Sequence, residues 1–208
     1  MRIARISMVT VGILLSASLA IAQEKHEKKD AKDGGDKKPM HGKVEVGAMA
    51  PDFTLTDLDG KTVKLSDYKD KVVVLEWTNC DCPAVKGALP TIKKTAEDFK
   101  AKGVVWIAID STKGREAKAD ADFKKTNGLI STICLDGDGK VGHMYGATNT
   151  PQFVIINKGT VAYTGAIDDG AMGKPGKRVY VAEALDSILK GEDVKVKTTK
   201  PYGCSVKY

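Results

Sequence analysis

The chain is poor in the residues that announce several common kinds of protein. Of its 208 residues only four are cysteine, three are histidine and 6% are aromatic. Four cysteines are too few to act as a disulfide scaffold in a chain long enough to build its own core. Two of the histidines, His26 and His41, lie far apart among lysines and acids, where solvated side chains are expected and a metal site is not. The lysines alternate with acids and are not striped with aromatics, so the net charge of +6 gives no support to nucleic-acid binding. A long hydrophobic run is also missing. The one apolar stretch, Ile6 to Ile21, is broken by Ser7, Thr10, Ser16 and Ser18 and falls short of the roughly 20 residues that span a bilayer.

That stretch follows Arg2 and Arg5 and ends in the small-residue triplet Ala20-Ile21-Ala22, the pattern of a secretory signal peptide cut after Ala22. A retained membrane anchor is the competing reading. No cysteine stands at the cleavage site to accept a lipid. Residues 1–22 are therefore expected to be a leader, and the mature chain a secreted or periplasmic protein that does not stay at the membrane. Losing the two arginines lowers the charge from +6 to +4. Residues 23–45 are nearly all Lys, Asp, Glu and Gly and are expected to be a disordered linker. The remainder, about 160 residues, suits a single domain, read as residues 46–190 with a tail, 191–208, that carries Cys204.

Within the domain, Asp52 to Leu65 alternates around Asp59-Gly60 and predicts a β-hairpin. Lys71 to Trp77 is a continuous β-branched and apolar run, the pattern of a strand buried on both faces. From Pro83 to about Lys102, Val85, Ala88, Leu89, Ile92, Ala96 and Phe99 recur at helical spacing, with Pro90 predicting a kink. A strand at 104–109, a polar helix at 115–126 and a strand at 130–135 follow. The turn at 136–139 lacks the carboxylate pattern of a calcium loop. A helical turn at 141–146, strands at 152–157 and 160–165, and an amphipathic helix at 179–190 complete the order. Such alternation predicts an α/β fold, a mixed central sheet flanked by helices, with the hairpin as an N-terminal extension.

Local residues give this order a specific likeness. The buried strand runs into Asn79-Cys80-Asp81-Cys82-Pro83, Pro90 stands eight residues after Cys82, and Thr150-Pro151 precedes the strand at 152. In these features the chain resembles the thioredoxin fold, and the resemblance implies that Cys82 is the nucleophile and Pro151 a cis-proline. A thiol in the first turn of a helix faces unpaired N–H groups and the positive end of the helix dipole, both of which favour the thiolate. Lys86 adds to this and Asp81 opposes it. Where thioredoxin-like reductases carry a second cysteine, this chain has Val85. Cys82 then works alone or with a partner from elsewhere: Cys80, across a short and strained loop, or Cys204, the favoured one, on a segment able to reach it. A permanent structural disulfide of Cys204 is an open alternative. Cys134, inside a strand, reads as core.

Gly47-Ala-Met-Ala-Pro51-Asp-Phe-Thr-Leu55 and Leu65-Ser-Asp-Tyr68 are similar to the N-terminal hairpin of the redoxin and peroxiredoxin-like branch, related to alkyl hydroperoxide reductases and thiol-specific antioxidants. The resemblance implies an antioxidant or reductase activity on a hydroperoxide or a disulfide, with an external thiol as reductant and no cofactor. Peroxiredoxins proper carry Pro-x-x-x-Thr-x-x-Cys and a later arginine. Here Thr78 precedes Cys82 by four residues, and Thr150-Pro151 occupies the arginine's place. Trp77, Thr78, Thr150 and Pro151 are candidates to wall a substrate groove, with Trp77 equally readable as core. Glu76 is readable as a proton relay or as a partly exposed side chain. Trp106 reads as core, and His143 as a surface residue. An alternative of another class is a copper(I) chaperone, since Cys80-x-Cys82-Pro83 resembles the cysteine pair of thioredoxin-like copper chaperones and His143 could add a third ligand. A redox-inactive binding module is the remaining possibility.

Overall fold

The computed structural model of the chain describes residues 42, 44–171 and 174–208. The leader with its cleavage after Ala22, most of the linker, and His26 and His41 lie outside the described residues. No helix of the described residues is long and apolar enough to cross a membrane.

The hairpin forms as expected from β1 (Thr54–Asp57) and β2 (Thr62–Lys64) and is followed by a 3-10 turn at Leu65–Tyr68. Next come β3 (Val72–Trp77), α1 (Pro83–Lys100), β4 (Val105–Asp110), α2 (Ala117–Asn127), β5 (Thr132–Leu135) and α3 (Lys140–Tyr145). The chain ends with β6 (Asn149–Thr150), β7 (Gln152–Asn157), β8 (Thr160–Gly165), α4 (Tyr180–Leu189) and β9 (Cys204–Ser205). Seven strands make one mixed sheet in the order β2-β1-β5-β4-β3-β7-β8, and β6 pairs with β9 in a separate two-stranded sheet. Strands β3, β4 and β5 run parallel, while β7 lies antiparallel to β3.

The position of β3 follows from its composition. An uninterrupted apolar run has no polar face to offer water, so it is stable only in the middle of a sheet covered on both sides. Val73, Leu75 and Trp77 point to one face, where Phe53, Ile107, Ile109, Val141 and Tyr145 form a core cluster. On the other face Val74 packs with Phe153, with Ala88, Ile92 and Phe99 of α1, and with Val181 and Leu185 of α4. Each large apolar side chain buried this way contributes about 1.5–3 kcal/mol. The helix α1 runs through Pro90 without interruption.

The edges of the domain add detail to this reading. The domain begins before Val46: Val44 is buried in the first core cluster, and Gly47 N–H bonds to Val161 O. Helix α2 begins at Ala117 and not at Arg115, which leaves Arg115 in the preceding loop, free to reach back toward β3. The segment after Gly191 is no loose tail. Val194 is buried, Thr199 Oγ1 accepts the Ala166 N–H at 2.9 Å, and the Tyr202 hydroxyl donates to Asp168 Oδ1 at 2.7 Å. At the terminus Val206 N–H bonds to Thr148 O, and the Tyr208 hydroxyl donates to Ala147 O at 2.7 Å. The last residues of the tail, from Gly203 to Tyr208, are thereby laid along the segment that leads to Pro151.

Candidate active site

Strand β3 ends at Trp77, and the next four residues form the turn that enters α1. The turn is self-supporting: the Asp81 N–H donates to Asn79 Oδ1 at 2.7 Å, and the Cys82 N–H to Asn79 O at 3.0 Å. Pro83 occupies the first helical position, where its missing N–H costs nothing. Cys82 is the residue that caps the helix, with extended backbone angles of φ −73° and ψ 120°. A cap side chain normally receives an N–H from the first turn, and here the Val85 N–H is directed at the Cys82 sulfur.

The protonated thiol of Cys82 donates to the Thr150 carbonyl at 3.1 Å. Thr150 precedes Pro151 through a cis peptide bond. It also lies opposite Cys204 in the β6–β9 pair, whose register matches Thr150 with Cys204 and Asn149 with Ser205. The Asn149 side-chain amide donates to Gly203 O at 3.2 Å. This two-residue strand sets Cys204 against Cys82, packed on the small apolar cluster of Cys82, Ala84 and Val85. Gly203 makes the close approach possible. Its φ is +116°, and a Cβ there would collide with the Thr150 carbonyl oxygen.

The two sulfurs are electrostatically unequal. At 3% exposure Cys82 is almost dry, and burial opposes its ionisation. Hydrogen bonds from the Cys204 thiol, Thr150, and the N–H groups of Val85 and Cys204 outweigh that cost and hold Cys82 below the ordinary thiol range. The Thr150 hydroxyl is buried and has no partner beside the neutral thiol, which leaves it available to donate to the thiolate. Burial and the negative charge of an ionised Cys82 push Cys204 the other way, above its ordinary value. One proton is therefore released first, and it comes from Cys82.

Cys80, two residues earlier, faces α2. Burial and the neighbouring Asp120 carboxylate push its thiol up to about 11. Asp120 itself is 1% exposed, and burial, then the charge of Asp110, raise it to about 7. Arg115 ties this side together: Nε donates to Asp110 Oδ2 at 3.1 Å, Nη1 to Asp81 Oδ2 at 2.9 Å, and Nη2 to Asn79 Oδ1 at 3.0 Å.

Of the expected groove residues, Thr150 bonds to Cys82 as described. Pro151 and Thr78 are buried, and Thr78 hydrogen-bonds the Glu76 carboxyl. Trp77 is a correction. It is 0% exposed and lies 5.5 Å from the Tyr145 ring, because the strand's alternation turns it into the core on the α3 side. Glu76, on the opposite face, is buried and not an edge residue. It accepts the Trp106 indole N–H at 2.7 Å, and burial raises its carboxyl to about 7. Cys134 is 0% exposed in the core. His143 stacks on Tyr208 at 3.9 Å. Among the described residues no group of three or more His, Cys, Asp or Glu side chains is disposed to hold a metal, and Cys80 and Cys82 face different neighbours. Asp120 and Arg115 were invisible as site residues in the sequence: an Asp in a polar helix and an Arg in a loop look like surface until the fold turns them toward Cys80.

Comparisons with known proteins place the chain in a family and a fold. Residues 46–164 match the AhpC/TSA family. The thiol-disulfide oxidoreductase ResA of Bacillus thuringiensis subsp. konkukian (strain 97-27) is 32% identical over 148 residues, 71% of this chain and 79% of that protein. A hypothetical protein from Sinorhizobium meliloti 1021 superposes with a TM-score of 0.73 at 28% identity, covering 80% of this chain and 96% of that one. An uncharacterized conserved protein from Geobacillus kaustophilus does so with a TM-score of 0.73 at 31% identity, covering 79% and 92%.

Proposed function

Since the chain belongs to the AhpC/TSA family and is a thiol-disulfide oxidoreductase, we propose that Cys82 is its nucleophile and Cys204 its resolving cysteine, acting on disulfides outside the cytoplasm. The observation that carries this reading is the packing of Cys204 on Cys82, held in place by a docked strand of two residues.

The Cys82 thiolate attacks one sulfur of a substrate disulfide, and the other sulfur leaves as a thiolate that takes up a proton. A mixed disulfide between Cys82 and the substrate results. Cys204 then loses its proton and attacks the Cys82 sulfur, the substrate's second thiolate departs, and a Cys82–Cys204 disulfide remains. Two electrons have passed to the substrate, and an external thiol reductant restores the pair. Cys82 is covered at 3% exposure, so β9 has to leave β6 before a substrate sulfur reaches it. A disulfide is favoured over a hydroperoxide because the relatives that the chain resembles are named thiol-disulfide oxidoreductases. Arg115 is engaged with Asp110, Asp81 and Asn79. Residues 1–22 supply the export signal of this reading, and the place of action is secreted or periplasmic.

The test is to mix the reduced protein with a disulfide peptide, or separately with hydrogen peroxide, quench with acid and map disulfides by mass spectrometry. The wild-type protein is expected to yield Cys82–Cys204 with the peptide. Cys204→Ser is expected to accumulate the Cys82–peptide disulfide while turnover drops by about 100-fold, roughly 3 kcal/mol of barrier. Full turnover in Cys204→Ser would overturn the resolving role, and oxidation by peroxide alone would overturn the choice of substrate.

A further inference from the structure

Cys80 poses a problem for the exchange just described. It lies on the same turn as Cys82, far closer along the chain than Cys204. Once Cys82 holds a substrate as a mixed disulfide, any nearby thiolate competes to resolve it. Attack by Cys80 on the Cys82 sulfur would form a Cys80–Cys82 disulfide and expel the substrate thiolate, with electrons balanced as in the Cys204 reaction and Cys204 left unused. The structure has a device against this.

Cys80 is 7% exposed and has beside it the carboxyl group of Asp120, in the first turn of α2. Asp120 is 1% exposed, and its Oδ2 has no hydrogen-bond partner among the described residues. A carboxyl group so placed in a dry interior serves no capping or pairing purpose, and what it faces is the thiol. The other charged groups around Cys80 are Asp110 from β4, Arg115 from the loop before α2, and Asp81 from the turn itself. Arg115 bonds to Asp110, Asp81 and Asn79 at once, which fastens the turn to the body of the domain with Cys80 on the α2 side.

On the reading that Cys82 and Cys204 form the exchanging pair, we propose that Asp120 is a specificity-determining residue: by engaging Cys80 from α2 it withholds that thiol and leaves Cys204 as the partner of Cys82. Only a thiolate attacks a disulfide. A carboxylate opposite Cys80 raises the energy of the thiolate and keeps the sulfur turned from Cys82. Together with burial this accounts for a thiol held near 11.

Asp120→Asn keeps the size of the side chain and removes its charge, while Asp120→Glu keeps the charge. In the reduced Cys82→Ser/Cys204→Ser background, which undergoes no exchange, the alkylation of Cys80 by iodoacetamide is followed against pH. Asp120→Asn is expected to move the profile to lower pH and to speed alkylation at pH 8 by about fivefold or more, since reactivity follows the thiolate fraction. Asp120→Glu is expected to keep the slow wild-type profile. In the otherwise wild-type protein oxidised by a disulfide peptide, Asp120→Asn is expected to place Cys80 in a measurable share of the disulfides, where the wild type has only Cys82–Cys204. A Cys80 profile unchanged in Asp120→Asn, or equally accelerated in Asp120→Glu, overturns the role of Asp120 while leaving the exchange reading intact. A wild-type protein that forms no Cys82–Cys204 disulfide overturns the exchange reading itself, whatever the alkylation profiles do.

Discussion

Cys82 and Cys80 share one turn and have opposite surroundings. Around Cys82 the neighbours that favour its thiolate are a thiol, the Thr150 side chain and two N–H groups, with the Thr150 carbonyl accepting from the neutral thiol. Around Cys80 the neighbours include the carboxylates of Asp120 and Asp81, and the Arg115 guanidinium near them is engaged with Asp81 and Asp110. Both thiols are buried, so burial alone would raise both. What separates them is the sign of the polar groups that the fold turns toward each sulfur. The two sides also differ in how they are held. The Cys80 side is an ion network with Asp110 fully buried, whereas the Cys82 side is closed by a strand of two residues. The first is built to stay and the second to open.

The comparison is broken most directly at the sulfurs. Cys82→Ser is expected to abolish disulfide exchange by about four orders of magnitude, over ~5 kcal/mol of barrier, while Cys80→Ser stays within about twofold of wild type in a turnover assay. A comparable loss in both would dissolve the distinction. Arg115→Ala tests the permanence of the Cys80 side. It strands the Asp110 carboxylate, and urea unfolding is expected to show a loss of about 3–5 kcal/mol.

Glu76 sharpens the picture, because its strand feeds both thiols. Its carboxyl is held near 7 in the fold against 4.5 when unfolded. Folding therefore carries no penalty from it below pH 4.5, a growing penalty between 4.5 and 7, and a full one above, of about 3 kcal/mol. Glu76→Gln still accepts the Trp106 N–H. Urea titrations are expected to find it close to wild type at pH 4 and more stable at pH 8, and a variant equally or less stable at pH 8 would refute the assignment. The smallest effect is expected at Gly203→Ala. A side chain at φ +116° facing the Thr150 carbonyl costs about 1–2 kcal/mol, concentrated in the docking of β9. Alkylation of Cys82 in the reduced protein is then expected to accelerate by about tenfold, with the thermal midpoint of the domain almost unmoved.

Much of the scaffold was legible before any coordinates. Val72 to Trp77 could only be a central strand, the spacing from Val85 to Phe99 only an amphipathic helix, and the cysteine at its start only a cap. These features depend on neighbours within a few residues, where periodicity and capping act. What the sequence left open depends on distance. Trp77 was readable as groove or core because alternation says only that it opposes Glu76, not which face is covered by α3. Strand β9 has two residues and no periodicity to announce it; it exists because Tyr202, Val206 and Tyr208 anchor the segments on either side.

By itself, then, the sequence determined that Cys82 stands at a helix N-terminus after a buried strand, with Thr150-Pro151 in the chain to meet it and no second cysteine at Val85. Which thiol lies against it was decided by tertiary structure alone. Along the chain Cys80 is the nearer candidate, but backbone direction and the carboxylate on α2 turn it away. Cys204 arrives from the far end of the chain because docking of the tail on β6 buries surface and satisfies backbone hydrogen bonds that no local pattern encodes.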